Sequence, residues 1–548
     1  MSKIDKKTVC LALLIALLIF HIVNNIIFIS IYPLAEGKDS YAHITAFNNF
    51  CQIIENGKLN PFYVQGKSLL HNLVFVVIDY PPLFYFNAFI FKLLFGGLFL
   101  NAAIFISTVY LLVLLFSVYA IGEMINPQTG IIAAFICSMY PMIFLSSRHF
   151  SLELMLCALT TASMLVLLKT NYFLNRKLSV SLGIIFGLGM LAKQTFLIYI
   201  AGPFLVYSIY SLGSCRREIR RLKIINMLIC SGLFLGLSLL FYLNKDIYIN
   251  IFNRVGFLGA VNNDNLYSFE HISYYLICLR NTIGMFFIAV FLVALFNIRK
   301  IRNPFKWIFI SWICLPLIFF TCIKLKYGEY TISYLPAIAL ISAGAIMNIK
   351  QNKLRVSIVM VVIFAGILNY FSLTFAKSVM FYSTYHAINP QCEILSHLDA
   401  PAKSAGENAM QEVINDLGNR NHKVGIFYDN IELDFPSYLI RSLFATTRSK
   451  AQIVDFLFRS SAFTDNVYVF DIMIYITKSE KKWTDKNAFL TFIQKFNSNF
   501  FADIDVREDF IDALVSQNKE FELVNSMKFQ TGVDHESLEN VYIYKRIK

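Results

Sequence analysis

The sequence lacks the patterns that would place it among disulfide-rich, metal-binding or repeat proteins. Its ten cysteines form no Cys-x-x-Cys and no Cys/His spacing suited to a metal, and the segment after residue 376 contains only Cys392. That segment therefore has no internal disulfide. No Asn-x-Ser/Thr site occurs, which disfavours a eukaryotic secretory setting. Internal repeats and low-complexity segments beyond the apolar runs are also absent.

What the sequence has in abundance is apolar residues in long runs. Hydrophobic residues make up 57% of the chain and charged residues only 15%. Several runs reach the roughly 20 residues that cross a bilayer, and backbone in lipid must satisfy its hydrogen bonds within helices. The first run, residues 8–32, is too long for a signal peptide and lacks a small-residue cleavage site. The sequence thus predicts a polytopic α-helical membrane protein.

The net charge of +13 is a topology signal, because it is concentrated in the apolar part of the chain. After residue 376 there are 19 Lys and Arg against 23 Asp and Glu. The remaining basic residues cluster in short loops, which marks the cytoplasmic side and gives no nucleic-acid footprint. These clusters lie near residues 3–7, 169–177, 216–223, 299–306 and 350–355.

Agreement among the basic clusters predicts eleven spans, with the N-terminus inside and the C-terminus outside. Residues 81–97 decide the parity, and we interpret them as an interfacial helix within a long first outer loop, residues 33–99. A count of twelve or thirteen spans is the alternative. The predicted spans are 8–32, 100–124, 129–147, 150–168, 178–192, 195–213, 223–243, 275–297, 305–323, 332–349 and 354–375.

The chain changes character near residue 376, where charged residues become frequent. We therefore expect a transmembrane domain over residues 1–375 and an extracytoplasmic α/β domain over residues 376–548. Strand-like patterns occur at 423–428, 467–475, 521–524 and 540–544, and helical patterns near 405–418, 434–446, 485–499 and 505–517.

Acidic side chains on the predicted outer face are the first candidates for chemistry. Asp39 begins a helix-like segment with His43 four residues on, and so on the same face. Asp39 is interpreted either as a general base or as a solvated acid capping a helix, and His43 as a catalytic group or a loop histidine. Glu153 lies inside an apolar run, where an ionisable residue is costly and often functional. Its alternatives are snorkelling or pairing with Arg148.

Cations on the same face suit a lipid-linked phosphate. Lys193 interrupts an apolar run too long for one span, so it marks a hairpin, binds phosphate, or both. Arg280 lies in the outer part of a span and admits the same two readings. Lys324 and Lys326 oppose the usual bias of lysine towards inner loops. They are interpreted as stabilising a phosphate leaving group or as a solvated loop.

The order of these motifs resembles the GT-C glycosyltransferase superfamily, in particular its protein O-mannosyltransferase and lipid A aminoarabinose transferase branch. The likeness covers roughly residues 1–375. Ser40 stands where the family usually has an acid, and Glu153 where it usually has aspartate. The motifs are Asp39-Ser40-Tyr41-Ala42, Tyr80-Pro81-Pro82-Leu83-Phe84-Tyr85, His149-Phe150-Ser151-Leu152-Glu153, Gly189-Met190-Leu191-Ala192-Lys193, and Lys324-Leu325-Lys326 with Tyr330.

The resemblance implies a GT-C fold and transfer of a sugar from a polyprenyl-phosphate donor by one inverting displacement. Asp39 would take the proton of an acceptor hydroxyl, and Glu153 would orient Asp39, the acceptor or a metal. Lys324, Lys326, Lys193 and Arg280 would neutralise the departing phosphate. No cofactor is required, and a divalent metal is left open. The expected substrate-binding residues are Tyr41, His43, Tyr80, Arg148, Arg254 and Tyr330.

The expected partners are membrane lipids, the polyprenyl-phosphate sugar and an acceptor glycolipid, polymer or protein, with no nucleic acid. A bacterial cytoplasmic membrane is the preferred location. The first alternative function is a lipid or sugar transporter or flippase of the cell envelope, which inverted repeats of broken helices would favour. The second is a non-catalytic membrane scaffold, which leaves the outer acids and lysines unexplained.

Overall fold

The computed structural model falls into two compact units. The first comprises Met1–Ile31, Leu73–Gly97 and Asn101–Leu395, and the second Tyr32–Asn72, Leu98–Leu100 and Ser396–Lys548. The predicted domain boundary at residue 376 stays a prediction. The structure describes residues 6–31, 43, 47, 50–51, 54, 80–95, 99–148, 150, 152–213, 217–242, 269–301, 303–323, 326–375, 423–428, 452–455, 472–477, 521–530 and 538–546.

The described part of the first unit is helical. A 3₁₀ segment, Gly328–Tyr334, precedes its last two α-helices, and a shorter one covers Ile298–Lys300. The helices are α1 (Lys6–Ile31), α2 (Leu83–Phe95), α3 (Phe99–Glu123), α4 (Pro127–Ser138), α5 (Pro141–Ser146), α6 (Leu152–Lys169), α7 (Arg176–Ala192), α8 (Phe196–Gly213), α9 (Arg217–Tyr242), α10 (Phe269–Ile283), α11 (Met285–Phe296), α12 (Phe305–Cys322), α13 (Leu335–Met347) and α14 (Asn352–Phe375).

Eight helical stretches in the described residues are long and apolar enough to cross a membrane. The pair α10 and α11 passes the same test together but is bent by 113°, which would make nine. The chain is therefore a multi-pass membrane protein, as predicted, whereas the count of eleven stays a prediction. The eight stretches are Lys6–Phe28, Phe105–Glu123, Leu152–Lys169, Phe196–Gly213, Ile219–Leu239, Phe305–Cys322, Gly328–Met347 and Asn352–Thr374.

Prolines and a polar capping residue determine where three of the shorter helices begin. Pro81-Pro82 precedes α2, and the Pro82 carbonyl accepts the first hydrogen bond, from Phe86 N at 2.9 Å. This confirms the predicted helix in 81–97, and its 13 residues extend only about 20 Å against a hydrocarbon core of about 30 Å. The Asn126 side chain caps α4 by accepting from Thr129 N at 2.8 Å. Pro141 begins α5, so the predicted span 129–147 is two short helices.

The described residues of the C-terminal segment form a five-stranded mixed sheet. Its strands are β1 (Lys423–Tyr428), β2 (Gln452–Asp455), β3 (Ile472–Thr477), β4 (Phe521–Gln530) and β5 (Leu538–Arg546), in the spatial order β2-β1-β3-β5-β4.

Strand direction divides this sheet in two. β1 pairs in parallel with β2 and β3, and β5 runs antiparallel to β3 and β4. Four of the strands confirm the sequence patterns, and β2, only four residues long, was not predicted. The predicted helices of this segment lie outside the described residues, so the α/β domain stays a prediction.

Candidate functional site

A buried cluster of charges joins three parts of the first unit that are distant in sequence. Lys193 Nζ lies 2.5 Å from Glu153 Oε1 and 3.8 Å from Glu329 Oε1. The same ammonium lies 5.3 Å from the centre of the Tyr80 ring and 5.7 Å from that of Tyr330. Both rings present faces that favour a cation. The structure thus brings together four of the residues that the sequence singled out, and adds Glu329.

The first turn of α6 places Glu153 in this cluster. The unpaired N–H groups at a helix N-terminus favour a negative charge there, which offsets part of the cost of burying a carboxylate. Glu153 is only 6% exposed. Its Oε1 accepts from Lys193, while Oε2 has no hydrogen-bond partner among the described residues. A buried acceptor without a donor is costly, so Oε2 offers a position where a substrate hydroxyl can donate.

The turn between α7 and α8 presents Lys193. Lys193 N donates to Gly189 O at 3.1 Å, and Phe196 N donates to Lys193 O at 3.1 Å, which fixes both sides of the turn. Burial by itself would lower the pKa of Lys193, but the carboxylates of Glu153 and Glu329 raise it well above its ordinary value. Lys193 is therefore a charged ammonium. Because it stands between α7 and α8, the predicted hairpin is confirmed.

Gly189 permits this turn because a side chain there would occupy the place of the Phe196 ring, 2.3 Å from an added Cβ. We expect Gly189→Ala to lower the free energy of unfolding by about 1–3 kcal/mol, the usual cost of overpacking. Thermal unfolding of the purified protein would measure this. In Gly236→Ala the added methyl meets nothing within 4 Å, so that variant should be at least as stable as the parent. Equal behaviour of the two would contradict the argument.

The 3₁₀ segment Gly328–Tyr334 holds Glu329 and Tyr330 against the cluster. Three side chains from α6, α8 and α12 donate to its backbone carbonyls: Cys157 Sγ to Ile332 O at 3.3 Å, Tyr199 OH to Tyr330 O at 2.8 Å, and Trp312 Nε1 to Ser333 O at 2.9 Å. The Tyr330 ring also stacks on Phe320, with centroids 4.5 Å apart. The segment is thereby fixed by three helices at once.

Lys326 follows the end of α12 and lies beside the ring of Tyr275. Its ammonium donates to the carbonyls of Phe320 at 2.8 Å and Thr321 at 2.7 Å, and lies 5.3 Å from the centre of the Tyr275 ring. Burial lowers the pKa of Lys326 below its ordinary value. An ammonium has three N–H donors, so the two carbonyls leave one for a ligand.

Arg148 belongs to a different cluster. It is 2% exposed and donates to Asn25 Oδ1 at 3.0 Å, Thr374 Oγ1 at 3.0 Å and Tyr370 OH at 2.5 Å. Its guanidinium thus ties α1 and α14 to the residues that follow α5. The alternative in which Glu153 pairs with Arg148 is wrong, because Glu153 pairs with Lys193. The role of Arg148 in substrate binding stays a prediction.

Of the remaining predicted site residues, two are described by the structure and four are not. Arg280 lies in the last turn of α10. His43 belongs to the second unit and is buried, with Phe47 and Phe50 also buried at helical spacing from it. The others lie outside the described residues: Asp39, Tyr41, Arg254 and Lys324.

Sequence reasoning missed two members of the site. Glu329 stands in the same predicted outer loop as Lys326, which was a usable signal, whereas Tyr199 stands in an apolar run with nothing to mark it. Within the described ranges, no three His, Cys, Asp or Glu side chains are grouped to hold a metal. Asp39 lies outside those ranges.

Comparison with known proteins shows which fold this chain has. Residues 79–242 match the sequence profile of a family described as dolichyl-phosphate-mannose-protein mannosyltransferase. The structure resembles ArnT from Cupriavidus metallidurans bound to undecaprenyl phosphate, with a TM-score of 0.58 and 12% identity over 97% of each chain. The fold is that of the GT-C superfamily.

The GT-C fold is also seen in the match to the apo state of the same ArnT. Its TM-score is 0.53 at 11% identity, over 84% of this chain and 90% of that one. No curated protein matches the sequence. The predicted resemblance to the mannosyltransferase and aminoarabinose transferase branch of the GT-C superfamily is confirmed. Tyr80, Glu153 and Lys193 all fall inside the segment that matches the family profile.

Proposed function

We propose that this protein is a glycosyltransferase that moves a sugar from a polyprenyl-phosphate donor to an acceptor hydroxyl on the outer side of the membrane. The observation that carries the proposal is the buried cluster of Glu153, Lys193 and Glu329, in which one oxygen of Glu153 has no donor among the described residues. Two of its members stand in the segment that matches a mannosyltransferase family. The structurally similar ArnT was solved with undecaprenyl phosphate bound, which supports a donor of that class.

The proposed reaction is a single displacement at the anomeric carbon. Asp39 takes the proton of the acceptor hydroxyl, whose oxygen forms the new bond to that carbon. The bond from the anomeric carbon to the phosphate oxygen breaks, and its electron pair leaves with the polyprenyl phosphate. A phosphate is a good leaving group, so one carboxylate base suffices. The configuration at the anomeric carbon is inverted.

Glu153 and Lys193 are proposed as positioning residues for this displacement. The charge of Lys193 is already matched by two carboxylates, so we assign it to holding Glu153 and Glu329 in place. Glu153 Oε2 then accepts a hydrogen bond from the acceptor. Phosphate binding falls to Lys326, with the sequence-predicted Lys324 and Arg280.

A direct assay tests the proposal. Purified protein in lipid nanodiscs is incubated with a radiolabelled polyprenyl-phosphate sugar and separate candidate acceptors: a lipid, a wall polymer and a protein. Transfer of label to one acceptor, with inverted anomeric configuration by NMR, is the expected result. Movement of the labelled lipid between leaflets of sealed vesicles without transfer would instead establish the transporter alternative.

Replacing Lys326 should weaken donor binding. A hydrogen bond between charged partners contributes about 1.5–3 kcal/mol, so Lys326→Met should raise the KM for the donor by about 10- to 100-fold. The KM for the acceptor should stay unchanged in the same steady-state assay.

The matched control is Lys306→Met at the other end of α12. Lys306 also lies over an aromatic ring, that of Trp307, at 5.1 Å. If both variants had the donor KM of the parent, Lys326 would not bind the donor phosphate.

A further inference from the structure

A groove of about 600 Å³ opens between α1, α4 and α14, and none of its described lining residues is assigned above to catalysis. That volume lies within the range of ligand sites, about 300–1,000 Å³. Most of its wall is apolar. The described lining residues come from four helices. They lie between residues 6 and 17 in α1, between 128 and 135 in α4 and between 352 and 363 in α14, and Met347 is at the end of α13.

The groove is a wedge, because α1 and α14 touch at one level of the bundle and separate towards their N-terminal ends. At the closed end the Phe20 ring lies 5.0 Å from that of Tyr370 and 6.0 Å from that of Phe371. Gly366 faces Phe135 of α4, with 3.1 Å from an added Cβ to the ring. The groove therefore ends at these contacts and lies between two long apolar helices, where an acyl chain of the bilayer can fit.

The depth of the groove equals one leaflet. From Lys6 to Leu17 on α1, and from Asn352 to Ile363 on α14, each wall rises about 16 Å at about 1.5 Å per residue. Half of a hydrocarbon core of about 30 Å is about 15 Å. Each wall is therefore about as long as one leaflet is deep, and by the predicted topology both helices begin at the same membrane surface.

Among the described lining residues, polar side chains stand only at the mouth of the groove. They are Lys6, Gln128, Asn352 and Arg355, and no carboxylate is among the described lining residues. Arg355 Nη2 donates to Asn352 Oδ1 at 2.6 Å, which holds the guanidinium at the rim. The neighbouring Lys7 differs, because its ammonium is paired with Glu123 at 2.9 Å. The mouth is therefore cationic, and the wall below it is apolar.

We propose that this groove binds an anionic diacyl glycerophospholipid, with the phosphate at Lys6 and Arg355 and one acyl chain along the apolar wall. By the predicted topology, this is the cytoplasmic leaflet. Basic residues between helices at a membrane surface attract anionic headgroups, and the leaflet-deep wall fits a chain anchored at that surface. A second copy of this protein would have to bring a carboxylate and a narrow helix edge into the wedge, which the charge and shape favour less.

Native mass spectrometry of the full-length protein would test this. The protein is released from nanodiscs that contain equal amounts of phosphatidylglycerol and phosphatidylcholine with identical acyl chains. The expected result is preferential retention of one phosphatidylglycerol. Arg355→Glu should reduce that retention about fivefold or more, in keeping with the attraction of one cationic residue for an anionic surface. Val359→Trp, which fills the wall, should reduce retention of both lipids.

The matched control is Lys353→Glu, which makes the same charge change two residues away but does not line the groove. It should retain phosphatidylglycerol like the parent. Four results would overturn the proposal: equal retention of the two lipids, equal loss in the two charge-reversal variants, preferential displacement by a polyprenyl phosphate or by inorganic phosphate, or cysteine crosslinking of two copies through this groove.

Discussion

Asp39→Asn should transfer sugar about 10²–10⁴ times more slowly than the parent, while it reaches the membrane at the same level. The amide keeps the size of the side chain but cannot take a proton, so the acceptor hydroxyl must attack without a base. Initial rates in the nanodisc assay, at saturating donor and acceptor, measure the effect on kcat. Asp39 lies outside the described residues, so this experiment bears directly on the prediction made from its sequence motif.

The control for this experiment is Glu55→Gln, which removes another carboxylate from the same predicted outer loop. It should retain the activity of the parent. Asp39→Glu should recover part of the lost rate, because it restores a base displaced by one methylene. Full transfer by Asp39→Asn, or an equal loss in Glu55→Gln, would reject Asp39 as the base.

Removing one partner of the Glu153–Lys193 pair should cost about 3–5 kcal/mol of stability, because it leaves a buried charge without its partner. The two side chains are 8% and 4% exposed, so water cannot replace the missing group. Lys193→Met should therefore unfold at a clearly lower temperature than the parent. The double variant Glu153→Gln/Lys193→Met should regain much of the loss, since neither charge is then buried alone. Thermal unfolding of the parent, Glu153→Gln, Lys193→Met and the double variant gives the coupling energy.

An exposed ion pair in the same chain provides the comparison. Lys7 and Glu123 are 2.9 Å apart, but their side chains are 63% and 25% exposed. Lys7→Met should cost about 1 kcal/mol or less. If Lys193→Met and Lys7→Met lost the same small amount, the buried pair would not be the stabilising contact described above.

The sequence was sufficient for elements that depend on local patterns. Long apolar runs predicted the spanning helices because a bilayer admits few other solutions, and Pro81-Pro82 predicted the start of α2. Four strands of the C-terminal sheet followed from short apolar patterns. β2 escaped because four residues carry too little pattern, and no local rule says which strands pair.

The candidate site was only partly predictable because its contacts join distant segments. Glu153 and Lys193 are separated by 40 positions. Glu153 was singled out for its cost in an apolar run, and Lys193 because it interrupts a run too long for one span. One alternative for Glu153 was pairing with Arg148, which is near in sequence but follows α5, while Glu153 lies in the first turn of α6. A helix break lies between them, so their side chains follow different axes. Tyr199 carried no signal, because a tyrosine in an apolar run resembles any other core residue.

The hydrogen bonds to the 3₁₀ segment Gly328–Tyr334 have a consequence for engineering the proposed acceptor site. Cys157, Tyr199 and Trp312 donate hydrogen bonds to main-chain oxygens of this segment. These three contacts therefore do not depend on the side chains that the segment carries. Tyr330 can therefore be replaced with little change in the path of the segment, whereas Glu329 has to be kept because it is a partner of the buried Lys193. A small library at position 330, with Glu329 and the three donors left intact, tests whether the proposed acceptor preference changes before folding is damaged.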